Sequence, residues 1–241
     1  MRLIVCGSGD AHGIPRPDCS DPDCACARAR RGAGTVRRQS CAVVEAADTR
    51  IAIDTGSGFQ PCAALLLTHY HPDHAGRREA FAGVPAWGPD PGCEVAGLER
   101  FPAPDAVQFV APFATLRIGA LQCTALPLNH PIPAMGWAIS DGRQRLAWLT
   151  DSYGIPAPTI AWLRAHPCSL IALDTTFPPG EPSAPRKGHG TLDVSLAALA
   201  AVGARRALLI HIGHRLQRWL EAGGALPEGV AVARDGESYD A

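Results

Sequence analysis

The stretch LLLTHYHPDHAG, residues 65–76, places three of the chain's nine histidines and an aspartate within six consecutive positions. A water-facing turn could hold such groups, but three leucines run straight into them. A short apolar run of this kind reads as a buried strand. Ala75, Gly76 and Arg77 read as the start of a helix. The cluster therefore stands where a strand hands over to a helix, a common place for chemistry in layered α/β folds. In extended backbone His69 and His71 share a face and can converge on one ion. Asp73 and His74 belong to the next turn and suit a second ion.

The same arrangement recurs along the chain. Asp54 follows IAI, His130 follows LPLN, Asp151 follows LAWLT, Asp174 follows LIAL and His211 follows ALLI. With His69, six apolar strands end in a histidine or a carboxylate, which delivers acids and imidazoles to a common sheet edge. Imidazole with carboxylate suits zinc, manganese or iron. His130, Asp151 and His211 are the further candidate ligands, and Asp151, with two oxygens, can bridge two ions. A pair of metals roughly 3.5–4 Å apart is a hydrolytic arrangement for phosphoryl or acyl centres.

Strands are expected at residues 3–6, 41–45, 50–53, 65–67, 116–118, 121–126, 137–139, 145–149, 170–173 and 207–210, the second and third as a hairpin. Helical periodicity covers 158–165, 192–202 and 216–221. The 25 glycines and 22 prolines imply many short elements and tight loops. Strands dominate early and alternate with helices later, so the class is α/β with mixed sheets.

The 241 residues are ample for a substantial core, and 46% apolar with 19% charged residues excludes a disordered chain. A net charge of -1 gives no global attraction to nucleic acid or anionic membrane. Arginines at 28, 30, 31, 37 and 38 form a local basic patch. No apolar run reaches the ~20 residues of a membrane span, and the apolar stretch in MRLIVCGSGD is too short for a signal-peptide core. A cytoplasmic protein is expected.

Nine cysteines without an export signal read as thiols or metal ligands rather than a disulfide framework. Cys6, Cys41, Cys62, Cys93, Cys123 and Cys168 read as small buried hydrophobes. Cys19, Cys24 and Cys26 crowd into eight residues. Tetrahedral zinc needs a fourth ligand, and His214 lies three residues beyond His211. His166 reads as a helix C-terminal residue and His12 as part of a glycine-rich turn.

THYHPDHAG matches the H-x-H-x-D-H signature of the metallo-β-lactamase superfamily, with His130, Asp151 and His211 following in that family's order. Within it the chain resembles the phosphoribosyl cyclic phosphodiesterases (the PhnP family) of the carbon–phosphorus lyase pathway. The resemblance rests on CARARR at 26–31, LPLNH at 126–130, LAWLTD at 146–151, APR at 184–186 and WLEAGGALPEG at 219–229. It implies an αββα sandwich of two mixed sheets flanked by helices, as a single domain over 1–241 with a zinc-binding loop inserted at about 15–38. It implies two divalent ions, Mn2+ or Zn2+, one on His69, His71, His130 and Asp151 and the other on Asp73, His74, Asp151 and His211. Asp54 would support the metal-binding loop, and Asp73 and His189 are the catalytic candidates, His189 lying beside the leaving group. A structural Zn2+ on Cys19, Cys24, Cys26 and His214 is also implied, as is a homodimer. In the related enzymes the cysteines run C-x-C-x-x-C, against C-x4-C-x-C here. The 14 residues between Asp54 and His69 also make a shorter connection than theirs.

The activity so implied is hydrolysis of a five-membered cyclic phosphate, 5-phosphoribosyl 1,2-cyclic phosphate, in phosphonate catabolism. Arg186 and Lys187 are candidates for holding a second phosphate. A transfer-RNA 3′ processing nuclease would need a basic surface that net charge -1 does not supply. A 2′,3′-cyclic nucleotide phosphodiesterase keeps the same ligand set. A non-catalytic ligand-binding relative would have lost it, and β-lactam or thioester hydrolysis fits the ligands no better.

Overall fold

The computed structural model describes residues 1–92 and 101–241; Cys93 lies outside them, as does the side chain of Arg186. One sheet contains β1 (Arg2–Gly7), β2 (Cys41–Ala46), β3 (Thr49–Ile53), β4 (Ala64–Leu66), β5 (Ala86–Gly88) and β6 (Val107–Phe109). The other runs from β7 (Thr115–Ile118) and β8 (Leu121–Pro127) through β9 (Met135–Ser140), β10 (Arg145–Leu149), β11 (Leu170–Asp174) and β12 (Ala207–Ile210) to β13 (Val230–Val232). The C-terminal β14 (Ser238–Asp240) returns to pair with β1, giving two sheets of seven strands. Both are mixed: β1 to β3 and β7 to β10 pair antiparallel, β3 to β6 and β10 to β13 parallel. The helices are α1 (Ala25–Arg30), α2 (Pro72–Ala75), α3 (Ala157–Ala165), α4 (Ala184–Lys187), α5 (Leu192–Val202) and α6 (His214–Glu221).

Strand alternation explains the layers. In β11, Leu170 and Ala172 face the core between the sheets, where Trp137 and Trp148 are fully buried. Ile171 and Leu173 face outward onto Leu163 of α3, Leu192 and Leu199 of α5 and Leu216 of α6. A strand buried on both faces must be continuously apolar, which is why LIAL and ALLI carry no alternation. On the first sheet, Leu65 and Leu67 pack outward against Tyr70, Ala75 and Phe81. The result is the expected αββα sandwich.

Most expected elements match to within a residue or two. The helix after the histidines differs: it runs from Pro72 to Ala75, with Gly76 as its C-cap, rather than beginning at Ala75. Proline fits the first helical position, where its missing N–H costs nothing. Asp73 and His74 are thereby placed on α2 itself. The β2–β3 hairpin forms as expected, with Ala47 at its turn in the left-handed region. Strands β5, β6, β13 and β14 are three residues each, too short to announce themselves by pattern. Cys6, Cys41 and Cys123 are buried, whereas Cys62 and Cys168 are only half-buried.

Five of the six polar residues of the strand-end series stand just past their strands, and the sixth, Asp174, is the last residue of β11. Three of them, Asp54 (φ 59°), Asp151 (φ 54°) and His211 (φ 59°), hold left-handed backbone. For a residue with a Cβ that costs on the order of 1 kcal/mol. Such strain persists where the surroundings over-determine it, and it clusters at functional sites.

Candidate metal centre

His69, His71, His130 and Asp151 present ligand atoms all within 4.8 Å of one another, and so do Asp73, His74, Asp151 and His211. His69 and His71 come from the exit of β4, Asp73 and His74 from α2, His130 from the exit of β8, Asp151 from β10 and His211 from β12. Asp151 is shared, one oxygen to each group. Its Oδ2 lies 3.6 Å from His69 Nε2, while its Oδ1 lies 3.1 Å from His74 Nε2 and 3.5 Å from His211 Nε2. His69, His74, Asp151 and His211 are buried, whereas His71 and His130 are half-buried and open the centre to solvent.

The residues fit a pair of cations. In the first group Nε2 of His69 and Nε2 of His130 both face Nδ1 of His71, at 2.9 and 3.2 Å. In the second, buried Nε2 atoms of His74 and His211 have no hydrogen-bond partner among the described residues. Asp73 Oδ2 is only 2.9 Å from His74 Nε2, yet not aligned as a hydrogen bond. In this second group the donor atoms crowd together without pairing, as ligands arranged around an ion do.

Electrostatics separates the two groups. Burial drives His69 and His71 below the usual imidazole value and His130 down to about 4, so these are neutral, as metal ligands must be. Burial also opposes charge on His74 and His211, but carboxylates outweigh it. Asp151, Asp73 and Asp54 hold His74 well above its ordinary value; Asp151, Asp73 and Asp174 hold His211 at about 9. Asp151 is in turn kept well below the carboxylate range, its burial overcome by His211, His74 and His69. Without an ion, imidazolium supplies the positive charge that this second group demands.

The outer nitrogens of these histidines are anchored. Asp54 takes His74 Nδ1 at 2.8 Å and accepts both the N–H and the hydroxyl of Thr68, each at 2.8 Å. Thr68 Oγ1 also meets His69 Nδ1 at 3.1 Å, and Thr176 Oγ1 meets His211 Nδ1 at 2.8 Å. Such contacts fix the ring orientation and tautomer of a ligand. Asp54 was legible from its strand end, but nothing in the sequence marked the two threonines.

His189 stands beside both groups. Its Nδ1 lies 2.8 Å from Asp174 Oδ2, and its ring stacks on His211 at 4.7 Å between centroids. Asp174 also accepts backbone N–H groups from Ser152, Thr176 and Gly190. The sequence set Asp174 in the strand-end series but gave it no role; the structure makes it the anchor of His189. The flanking glycines are required. A Cβ at Gly188, whose φ is 69°, would come within 2.3 Å of Pro131, and one at Gly190 within 2.6 Å of the Asp174 carbonyl.

Cys19, Cys24, Cys26 and His214 form a separate group with the same 4.8 Å spread, His214 Nδ1 lying 2.9 Å from Cys24 Sγ and 3.6 Å from Cys19 Sγ. The changed cysteine spacing therefore still converges. His166 ends α3 and stacks on Trp162, and the N–H of His12 donates to Asp10 Oδ1 within a turn.

Two sheets with a histidine–aspartate cluster at one edge define a metallohydrolase-type fold. The profile of the beta-lactamase superfamily domain matches residues 42–212, and the chain belongs to the metallo-β-lactamase superfamily. Among solved structures it is similar to a diphosphatase from the PhnP family, at 20% identity over 99% of this chain and 97% of that one, with a TM-score of 0.75. It is also similar to Zn2+-bound PqqB from Methylobacterium extorquens, at 20% identity over the whole of both chains, with a TM-score of 0.74. An octanoyltransferase from Porphyromonas gingivalis is 24% identical over 98% of this chain, which spans about half (51%) of that curated relative's length. At these identities the structural likenesses show the fold alone. Among the described residues, no helix is long and apolar enough to cross a membrane.

Proposed function

We propose that the protein is a metal-dependent phosphodiesterase that opens a five-membered cyclic phosphate, 5-phosphoribosyl 1,2-cyclic phosphate, in phosphonate catabolism in the cytoplasm. The observation that carries this reading is Asp151 with one oxygen in each ligand group and the Asp174–His189 pair at its side. His69, His71, His130 and Asp151 would hold one ion, Mn2+ or Zn2+, and Asp73, His74, Asp151 and His211 the other. Such a pair, when bound, supplies Lewis acidity to a phosphoryl oxygen and to the attacking water.

The chain's own groups do the rest. Asp73 would meet the second ion through Oδ2, which faces both His74 and His211, and is the candidate to take a proton from that water. Ring opening expels an alkoxide, which needs a proton. With Nδ1–H donated to Asp174, the Nε2 of His189 is free to deliver one. A positioned acid beside a polarised phosphoryl group is what a cyclic diester requires, whereas a thioester leaving group needs no such acid. Support also comes from the likeness to a phosphate-cleaving member of the PhnP family. The curated relative's acyl transfer belongs to a chain about twice as long and is not carried over. The net charge of -1 speaks against an RNA substrate. The cysteine cluster would hold a structural zinc.

The test is turnover by protein reconstituted with Mn2+ or Zn2+. Ribose 1,2-cyclic phosphates should be opened fastest in a panel that adds 2′,3′-cyclic nucleotides, a 3′-extended transfer RNA and an acyl thioester. Faster cleavage of the RNA or the thioester overturns the reading.

A further inference from the structure

Cys6 and Cys41 lie on neighbouring strands and on the same face of the first sheet. Alternation turns Val5 of β1 and Ala42 of β2 into the core between the sheets, and Cys6 and Cys41 outward toward Leu65, Tyr70 and Phe81. Register then brings the two thiols together. Val5 pairs with Ala42 and Gly7 with Cys41, so Cys6 is the extra residue of a β-bulge and shares Cys41 with Gly7. The bulge is fixed, because a Cβ at Gly7 would collide with the Gln39 carbonyl oxygen. Cβ atoms opposed across antiparallel strands are about 4.5–5.5 Å apart, and a disulfide needs roughly 3.5–4.5 Å. On that comparison the pair closes with about 1 Å of movement. Hydrogen bonding to Cys41 pulls the Cys6 thiol below its ordinary value against the opposing effect of burial, with help from Arg38 and Arg50. The same contact pushes Cys41 up. Cys6 is also the more accessible of the two, at 7% exposed against 2%. A thiol favoured as thiolate beside arginines is the nucleophile of such a pair.

Cys41 is tied to the metal centre through one loop. Its thiol meets Ser57 Oγ at 3.0 Å, and the Ser57 N–H donates to its Sγ at 3.2 Å. Ser57 belongs to the loop after Asp54, and that loop grips α2. Thr55 donates its N–H and its hydroxyl to the His74 carbonyl, at 2.8 and 2.9 Å, and accepts the N–H of Arg77 at 3.1 Å. We infer that Cys6 and Cys41 form a reversible disulfide that loosens Asp73 and His74 in the second ligand group. The oxidant is a small-molecule disulfide of the glutathione type. The Cys6 thiolate attacks one of its sulfurs, the external S–S bond breaks and one thiolate leaves. Cys41 then gives its proton to solvent and attacks Cys6 Sγ, expelling the second thiolate. Two protein thiols are oxidised, and one external disulfide is reduced to two thiols. Turning toward Cys6 takes the Cys41 sulfur away from both Ser57 contacts, so the loop loses a hold and α2 loses its support. This coupling does not depend on which ester the centre cleaves.

The test equilibrates the zinc-loaded full chain with mixtures of reduced and oxidised glutathione, then maps its peptides by mass. The Cys6 and Cys41 peptides should become linked with loss of two hydrogens, and dithiothreitol should separate them again. Chelator competition on the same samples reads the active-site ions. The linked form should release one ion about tenfold to a hundredfold more readily than the reduced form, the scale expected when the support behind a metal ligand is lost. Cys6→Ser should bind metal like the reduced wild type, and oxidised glutathione should not change it. A Cys6 that stays free, or that ends capped by glutathione without linking to Cys41, overturns the pair. Linkage that leaves metal release unchanged, or a glutathione effect that persists in Cys6→Ser, overturns its hold on α2.

Discussion

The histidine–aspartate centre and the cysteine cluster both gather metal-type ligands, by opposite constructions. The first draws on the ends of four strands far apart in sequence, with anchors that are themselves buried: Asp54, Thr68, Asp174 and Thr176. The second takes three of its four ligands from residues 19–26, a loop and the start of the six-residue α1, whose N-terminal Cys24 makes no capping bond. A helix that short has no stability of its own. Beneath it lies only a small apolar cluster of Ile14, Cys24, Ala25, Cys26 and Ala29. One site is therefore held by the sheets, and the other by a loop with little support of its own. Removing metal should leave the first in place and loosen the second.

Asp151→Ala strikes hardest, because one carboxylate serves both ligand groups. Activity should fall at least about a thousandfold, the several kcal/mol expected from a misplaced metal pair. Elemental analysis should show fewer than two exchangeable ions. A variant that retains two ions and near wild-type turnover would break the bridging assignment.

His189→Ala should cost about 10²–10⁴ in rate on an alkyl cyclic phosphodiester and far less on a nitrophenyl phosphodiester, whose leaving group departs without a proton. Gly190→Ala should reproduce this pattern, since its Cβ cannot coexist with the Asp174 carbonyl. Equal losses on both substrates would assign His189 to binding instead. Metal content should be unchanged in His189→Ala.

Cys24→Ser probes the other half of the comparison. It should lower the melting temperature by several degrees, the scale of a few kcal/mol in a chain of this length. Turnover per folded molecule at saturating substrate should change little. Amide exchange should accelerate over residues 16–30 and not around His69. Mild chelation should strip the strand-end pair before the thiolate-held zinc; folded protein with no residual zinc would remove the structural ion from the account.

The contrast also explains what the sequence could show. A strand that ends in a metal ligand writes its signature locally, an apolar run followed by one polar residue, so all seven strand-end and α2 ligands were legible. The pairing of His189 with Asp174 was not, because it depends on a Gly-His-Gly turn folding back across fifteen residues. Thr68 and Thr176 act through hydroxyls that look like any other threonine. The start of α2 was misplaced because a single helical turn offers no periodicity to read, only the proline.

The smallest predicted effect separates the two sites by pH in chelator-treated protein. His211 titrates near 9 in the fold, against an imidazole value of 6.5, and His74 is raised as well. A raised imidazole stabilises the fold fully below the unfolded value and loses that contribution as pH climbs through the folded one. Metal-free protein should therefore lose stability between about pH 6.5 and 9. His69, His71 and His130 are lowered and contribute their slope below pH 6.5, so they do not mask this window. The cysteine cluster behaves differently. Burial raises Cys24, and raises Cys26 to about 12 from 9.0, so those thiols stay protonated in the fold while unfolded ones ionise. Their slope starts only near pH 9 and runs upward. Urea melts at half-unit intervals should show the first loss vanish when the active-site ions are restored, since metal displaces the protons. His211→Ala should flatten the lower window and Cys26→Ser the upper one. A single loss spanning both windows, insensitive to either substitution, would mean that the two clusters are not electrostatically separate.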